Sequence, residues 1–467
     1  MKKRTLGRRA FMRAASGILT GAGLGALAAG RNAPVRAATP NGKRLAVFQC
    51  DVTPPLGTVI YSSYEPLTVV EHPLLAKGVI LEENGTRYVL CAVDWCELLN
   101  STHRMFREKL AAATETDISR VAVQTVHQHT APYADGDAFG LLQAAENPPA
   151  TPGMESLEGP ADRVADAARR ALAALAPYDG VGVGRAKVDR VASNRRVPIG
   201  EGKVGFRASS CRDPKLVEAP EGEIDPYVKT VTFFSGDTPL LRMHYYATHP
   251  QSFYGDTRAS YDFPGMARET LQEKEGVFQI YFTECAGDIA AGKYNDGTRE
   301  AREGLYQRLL AGMEASAAAT TRIPLEAIRW RTAPLLLTPR DDAGYGEAEM
   351  RAQLANPAET PRRRYDAAYA IAFRERAHEP FELSSLEMGG IHILHLPGEP
   401  MIPYQFYAQS LRPDAMVMVA GYGDCAPAYL CLERSFAEGG YEPSASLIVP
   451  ESESLIRAAI QRLMGMA

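Results

Sequence analysis

Nine histidines occur in 467 residues, and three segments that carry or adjoin them end in residue types able to bind a metal ion. The apolar run Val121–Val126 is followed by His127-Gln128-His129-Thr130-Ala131-Pro132. The run Leu240–Ala247 leads straight into Thr248-His249-Pro250. A third, Ile391–Leu396, leads into Pro397-Gly398-Glu399-Pro400. Two imidazoles and a carboxylate from separate segments make a donor set suited to zinc, with positions left for water and substrate. The carboxyl ends of strands are also where open α/β sheets place their sites. Singly, each signal is weak: His-x-His on a strand is more often a pair of polar or packing residues, and a lone His before Pro says less still. His392 and His395 lie within their strand and read as structural, while His244, inside Leu240–Ala247, reads as core-facing or as support for a ligand. Taken alone, the coincidence at three strand ends leaves a metal centre and ordinary packing both open.

The elements that would position these residues alternate along the chain. Short apolar runs and helical patterns predict an α/β fold, a mixed β-sheet core flanked by helices. Strands are expected at Leu45–Cys50, Lys77–Leu81, Arg87–Val93, Arg120–Val126, Val181–Lys187, Val228–Phe234, Leu240–Ala247, Val277–Thr283, Ile328–Leu337, Leu383–Leu396 and Met416–Ala420. Helices are expected at Ser101–Thr114, with Ser101 as its cap, and at Pro160–Leu175, Pro264–Lys274, Thr298–Ala317, Arg362–Ala377 and Glu451–Met464. The stretches Gly140–Gly159 and Pro198–Asp225, rich in Gly and Pro, read as long surface loops, and loops of that length often face substrate. No internal repeat is visible. No linker separates two composition regimes, which points to a single catalytic domain over residues 39–467.

Residues 1–38 read as a signal that is removed. Lys2, Lys3 and Arg4 open a basic stretch that ends in Arg8-Arg9-Ala10-Phe11-Met12, followed by a Gly/Ala-rich run and the small-residue site Val35-Arg36-Ala37-Ala38. Paired arginines before a mildly apolar run are the mark of twin-arginine export. A membrane anchor is the competing reading, but the run is short, glycine-rich and followed by a cleavage site. The expected partners are therefore the Tat export machinery and a small-molecule or lipid substrate, with no integral membrane anchor, and the expected location is periplasmic or extracellular. A net charge of −5 without basic clusters argues against nucleic acid. The seven cysteines include no CxxC pair, which excludes a cysteine-rich zinc finger, and few disulfides are expected.

Several landmarks in order resemble the neutral (non-lysosomal) ceramidase family. His127-Gln128-His129-Thr130-Ala131-Pro132 is similar to its His-Thr-His-Ser-Gly-Pro signature, and Asp51-Val52-Thr53-Pro54-Pro55 to its opening segment. Val93-Asp94, Asn194-Arg195, Ala247-Thr248-His249-Pro250, Ser260-Tyr261-Asp262-Phe263-Pro264-Gly265 and Leu396-Pro397-Gly398-Glu399 resemble further segments. Tyr429 and Tyr441 match two family tyrosines at their twelve-residue spacing. The resemblance runs from about Ala46 to Ser446. It implies Zn2+ held by His127, His249, Glu399 and Tyr429, and a scissile group contacted by His129, Arg195 and Tyr441. Asp262 and Asp288 are expected behind the ligands or against substrate. The implied reaction is hydrolysis of the amide of an N-acylated, ceramide-like lipid, since zinc lowers the pKa of bound water from about 15.7 to about 7.

The chain also departs from that family. Gly287-Asp288-Ile289-Ala290 has alanine where the family carries a serine proposed as nucleophile or substrate anchor, so covalent catalysis by that serine is excluded. The chain stops at Ala467, and the family's C-terminal immunoglobulin-like domain is expected to be missing. Both departures keep a second reading open, a zinc hydrolase of another ester or amide, including a sugar-linked one. A non-catalytic zinc-binding protein is the third.

Overall fold

A computed structural model describes residues 42–61, 63–253 and 256–466. The export signal read in residues 1–38 lies outside the described residues. Three β-sheets form the body, and each contains the same run of elements. In the first sheet, Lys43–Asp51, Leu75–Glu83 and Thr86–Val93 pair antiparallel in sequence. The helix Asn100–Thr114 then crosses over, and Val121–Thr125 returns parallel to Thr86–Val93. The second sheet repeats this plan with Gly180–Lys187, Tyr227–Ser235 and Thr238–Tyr246, the helix Asp262–Glu275, and Phe278–Thr283 parallel to the third strand. The third uses Arg329–Leu335, Phe381–Met388 and Ile391–His395, the helix Ile402–Leu411, and Met416–Ala420. A parallel neighbour cannot be reached by a tight turn, so each unit spends a helix on the return. Two further edge strands, Ala176–Pro177 and Thr321–Ile323, extend the first and second sheets. The mixed α/β class expected from the sequence is the class observed.

The second hairpin of every unit closes through two residues: Asn84-Gly85, Gly236-Asp237 and Gly389-Gly390. Asn84 (φ +50°) and Gly85 (φ +84°) are both left-handed, which is what a type I′ turn demands and why Asn-Gly is its favoured pair. These turns fix register, and register decides which residues leave the strand ends toward the centre. Strand interiors such as Val79–Leu81 and Val89–Val93 are buried on both faces, which explains their unbroken apolar sequence.

Several expectations are corrected. Leu383–Leu396 is not one strand but a hairpin broken at Gly389-Gly390, and the sequence repeat that was not visible exists as a repeat of topology. Pro198–Asp225 holds a hairpin, Arg196–Gly200 with Lys203–Phe206, and a short helix, Pro214–Glu218. Gly140–Gly159 includes the end of helix Gly136–Ala144 and the start of helix Glu155–Leu172. Ser101 does not cap its helix. The helix begins at Asn100, and the orphan amides of Asn100 and Ser101 donate instead to the carboxylates of Asp424 and Asp137, at 2.9 and 3.0 Å. All seven cysteines are unpaired, and no helix among the described residues is long and apolar enough to cross a membrane.

Candidate metal centre

The three units point the same ends at one buried spot. Glu97, His249 and Glu399 follow the third strand of the first, second and third unit by three or four residues, and His127 follows the fourth strand of the first. His127 Nε2, His249 Nε2 and Glu399 Oε2 lie 3.2, 3.1 and 3.0 Å from one another. Tetrahedral zinc with ligands at about 2.0–2.1 Å has ligand-to-ligand edges of about 3.3 Å, so this triangle fits one face of such a site. Glu399 Oε2 is buried and accepts no hydrogen bond among the described residues. A buried carboxylate oxygen with no donor is costly unless a cation meets it.

The imidazoles are set for this by their outer nitrogens. His127 Nδ1 donates to the carbonyl of Cys96 at 2.9 Å, and His249 Nδ1 to the carbonyl of Ala286 at 2.7 Å. With Nδ1 protonated in each, both Nε2 lone pairs face inward. Burial, helped by the Arg195 charge, brings the His249 pKa down to about 4, so its lone pair is available at neutral pH. Burial acts to raise the Glu399 pKa, and positive charge or an Nε2–H at His127 and His249 acts against it and holds the carboxyl well below the usual range; with both Nε2 lone pairs turned inward, a bound cation would supply that charge instead. The backbone is bent to suit: His127 sits at φ +74°, a conformation few side chains adopt without support. Gly287 lets the segment that carries the Ala286 carbonyl press against Glu399, because a Cβ there would stand 2.5 Å from the Glu399 carbonyl oxygen.

The other expected residues fall into two sets. Tyr429 brings its hydroxyl to 3.5 Å from His249 Nε2, close to the edge of about 3.3 Å expected of a fourth tetrahedral ligand. His129 Nε2 lies 3.3 Å from His127 Nε2. Burial, and the charges of His127 and His249, lower the His129 pKa well below its ordinary value. Arg195 Nη1 reaches His249 Nε2 at 3.2 Å and Tyr429 at 3.4 Å, and Glu442 lies 3.4 Å from its Nε. Tyr441 stacks on Phe206, and Arg195 lies over both rings. Asp262 and Asp288 stand back from the centre. Asp288 accepts from Ile402 N (2.7 Å) and Asn194 Nδ2 (3.1 Å) and so ties the Arg195 segment to the helix after Glu399. Asp262 accepts from Ser252 N at 2.8 Å and from the Ser252 hydroxyl, which anchors the loop after His249.

Two residues near the centre carried no sequence signal. Glu97 is buried, with Oε1 3.6 Å from His127 Nδ1, and burial together with the charge of Glu399 raises its pKa well above the usual carboxyl value. Tyr422 stacks on His127 with ring centres 4.3 Å apart. Only the repeated topology reveals Glu97, as the counterpart of Glu399. Ala290 is fully buried, opposite Ser193, and does not border the cavity that His127 and Glu399 line. His244 is core-bound between Thr230 and Gln279, at 2.9 and 2.7 Å.

That cavity measures about 290 Å³ and brings together His127, His129, Glu399, Arg195, Tyr429 and Tyr441. Comparison with known proteins was uneven: no family model matches the chain, and no curated protein matches it in sequence. Solved structures do. Neutral ceramidase from Pseudomonas aeruginosa is 16% identical with a TM-score of 0.66, over 92% of this chain and 74% of that one. A ceramidase complexed with C2 is 16% identical with a TM-score of 0.67, over 91% and 76%. What this chain shares with them at that identity is architecture: a neutral ceramidase-like fold.

Proposed function

We propose that the protein is an exported zinc-dependent hydrolase that cleaves an N-acyl amide through an activated water. The observation that carries the proposal is the triangle of His127 Nε2, His249 Nε2 and Glu399 Oε2 with edges of 3.0–3.2 Å and an undonated carboxylate oxygen. In this reading His127, His249, Glu399 and Tyr429 hold Zn2+. When bound, the ion supplies a Lewis acid and a water of lowered pKa. His129 donates to the oxygen of the attacked carbonyl as negative charge grows there, a contact worth roughly 3–4 kcal/mol for one donor. Tyr441 offers a second donor to the same oxygen. Arg195, held protonated by Tyr429, Glu442 and Glu399 against the opposing effect of burial, keeps Tyr429 in place and makes the cavity electropositive.

A ceramide-like lipid is the substrate that the fold suggests. The cavity favours a second reading, a smaller amide, because none of its lining side chains is Leu, Ile, Val or Met. The deciding experiment measures zinc content of the purified protein and acid released from a panel of N-acyl amides, with and without chelator. Absence of zinc from protein supplied with it would end the proposal. Export by the twin-arginine route belongs to the same reading. Arg8→Lys with Arg9→Lys is expected to leave the protein in the cytoplasm, and undiminished export would refute that route.

A further inference from the structure

Each unit inserts a long segment between its first and second strands, and each insertion supplies part of the cavity in front of the ligands. The first brings Tyr61 and Tyr64, the second Arg195, Phe206 and Ser209, and the third Arg362. Tyr61 stacks on Tyr133 with ring centres 4.8 Å apart, and Phe206 on Tyr441 at 5.1 Å, so two walls are flat and aromatic. A volume of about 290 Å³ is at the low end of the roughly 300–1,000 Å³ usual for ligand sites. Flat walls and small volume suit a compact acyl group better than a long alkyl chain.

The two arginines of the cavity are differently employed. Arg195 is buried and engaged by Tyr429, His249 and Glu442. Arg362, in the first turn of the helix Pro361–Glu375, has a side chain 63% exposed, and its one ion-pair contact among the described residues is Nε to Asp366 at 3.9 Å. Its terminal nitrogens meet no acceptor among the described residues. In the same cavity, Gln251 Oε1 accepts from Ser209 Oγ at 2.5 Å, and the Gln251 amide NH2 meets no acceptor among the described residues. A planar guanidinium with free ends is built for the two oxygens of a carboxylate.

We infer that the substrate is an N-acyl amino acid: a compact acyl group lies between the aromatic walls, and Arg362 grips the carboxylate of the amino-acid side. Arg362 and Gln251 are then specificity residues. The inference rests on the hydrolase reading only for the fate of the bound amide. One water is consumed, the C–N bond breaks, the water oxygen ends on the acyl carbon as a carboxylate, and the amine leaves protonated.

The test uses N-benzoylglycine and its neutral isostere N-benzoylglycinamide. Calorimetric binding to the full chain is measured with zinc removed, so that no metal competes for the carboxylate, and turnover of both probes and of a long-chain ceramide is measured with zinc present. The acid is expected to bind at least about tenfold more tightly than the isostere. Arg362→Gln should abolish that preference, and Arg362→Lys should keep part of it. Arg362 is exposed, so an unchanged melting temperature will show that the variants are folded. Equal binding of the two probes, no binding of either, a preference that survives Arg362→Gln, or faster cleavage of ceramide than of the acid would each overturn the inference. Preferential binding of an acid that is never cleaved would instead overturn the hydrolase reading and leave Arg362 in its role.

Discussion

Glu97 and Glu399 occupy matching points of the first and third units, each four residues past the end of the third strand, and both are buried. Their surroundings are opposite. Glu399 meets the inward nitrogens of two imidazoles, and positive charge at that point keeps it ionised against the pull of burial. Glu97 approaches the outward nitrogen of His127, and burial with the neighbouring Glu399 charge drives it toward the neutral acid, against a hydrogen bond from Tyr133. Equivalent position in a repeated topology therefore does not give equivalent chemistry. On the proposed reading, the side of the imidazole that a carboxylate faces divides a ligand from a support.

Glu399→Ala should break this contrast most severely. Zinc content is expected to fall to background and turnover with it. Zinc should no longer raise the melting temperature, although in the parent a hundredfold excess over Kd gives about 2.7 kcal/mol. Retained metal in this variant would mean that the triangle is not the site. His129→Ala should keep zinc while kcat drops by about a hundredfold to a thousandfold, the usual effect of one oxyanion donor. If zinc is lost as well, His129 is a ligand and Tyr429 is the bystander. A smaller effect is expected of Glu97→Gln: one zinc per chain still binds, with affinity lower by about tenfold to a hundredfold. A loss equal to that of Glu399→Ala would erase the distinction between the two carboxylates.

The mildest effect lies away from the centre. Burial lowers the pKa values of His103 and His244 to about 4 and of His395 to about 3. Their unfolded value is near 6.5, so the unfolded chain binds more protons over this range and stability rises with pH. Their contribution is present in full above about pH 6.5 and is lost as pH falls toward 4. The melting temperature should decline between pH 7 and 5, and His244→Gln should flatten the slope. A flat profile in the parent would show that these rings find their protons without unfolding.

Much of this was readable in the residues, and the gaps have physical reasons. His127, His249 and Glu399 each follow an apolar strand, and His249 and Glu399 each precede a Pro, so type and place coincide. Glu97 follows a strand too, but Trp95-Cys96-Glu97 has no motif, and only a structure shows which strand ends meet. Arg362 was hidden because its cavity is shared with Tyr61, some three hundred positions earlier in the chain. The hairpin at Gly389-Gly390 was legible but passed over: a Gly-Gly pair between two strand-like runs is itself a two-residue turn signal. Ser101 resembles a helix cap, yet Asp137 and Asp424, distant in sequence, take that task.

The imidazoles of His127 and His249 are aimed by the carbonyl oxygens of Cys96 and Ala286, which belong to the main chain. Every amino acid offers the same oxygen. Replacing Cys96 or Ala286 by another small residue leaves the aiming group in place, so an alanine scan would find the two imidazoles and pass over what orients them. Drift at those two positions is correspondingly free as long as the backbone path holds. A centre oriented in this way can persist while the sequence around it becomes unrecognisable, which suits a chain that keeps its architecture at 16% identity.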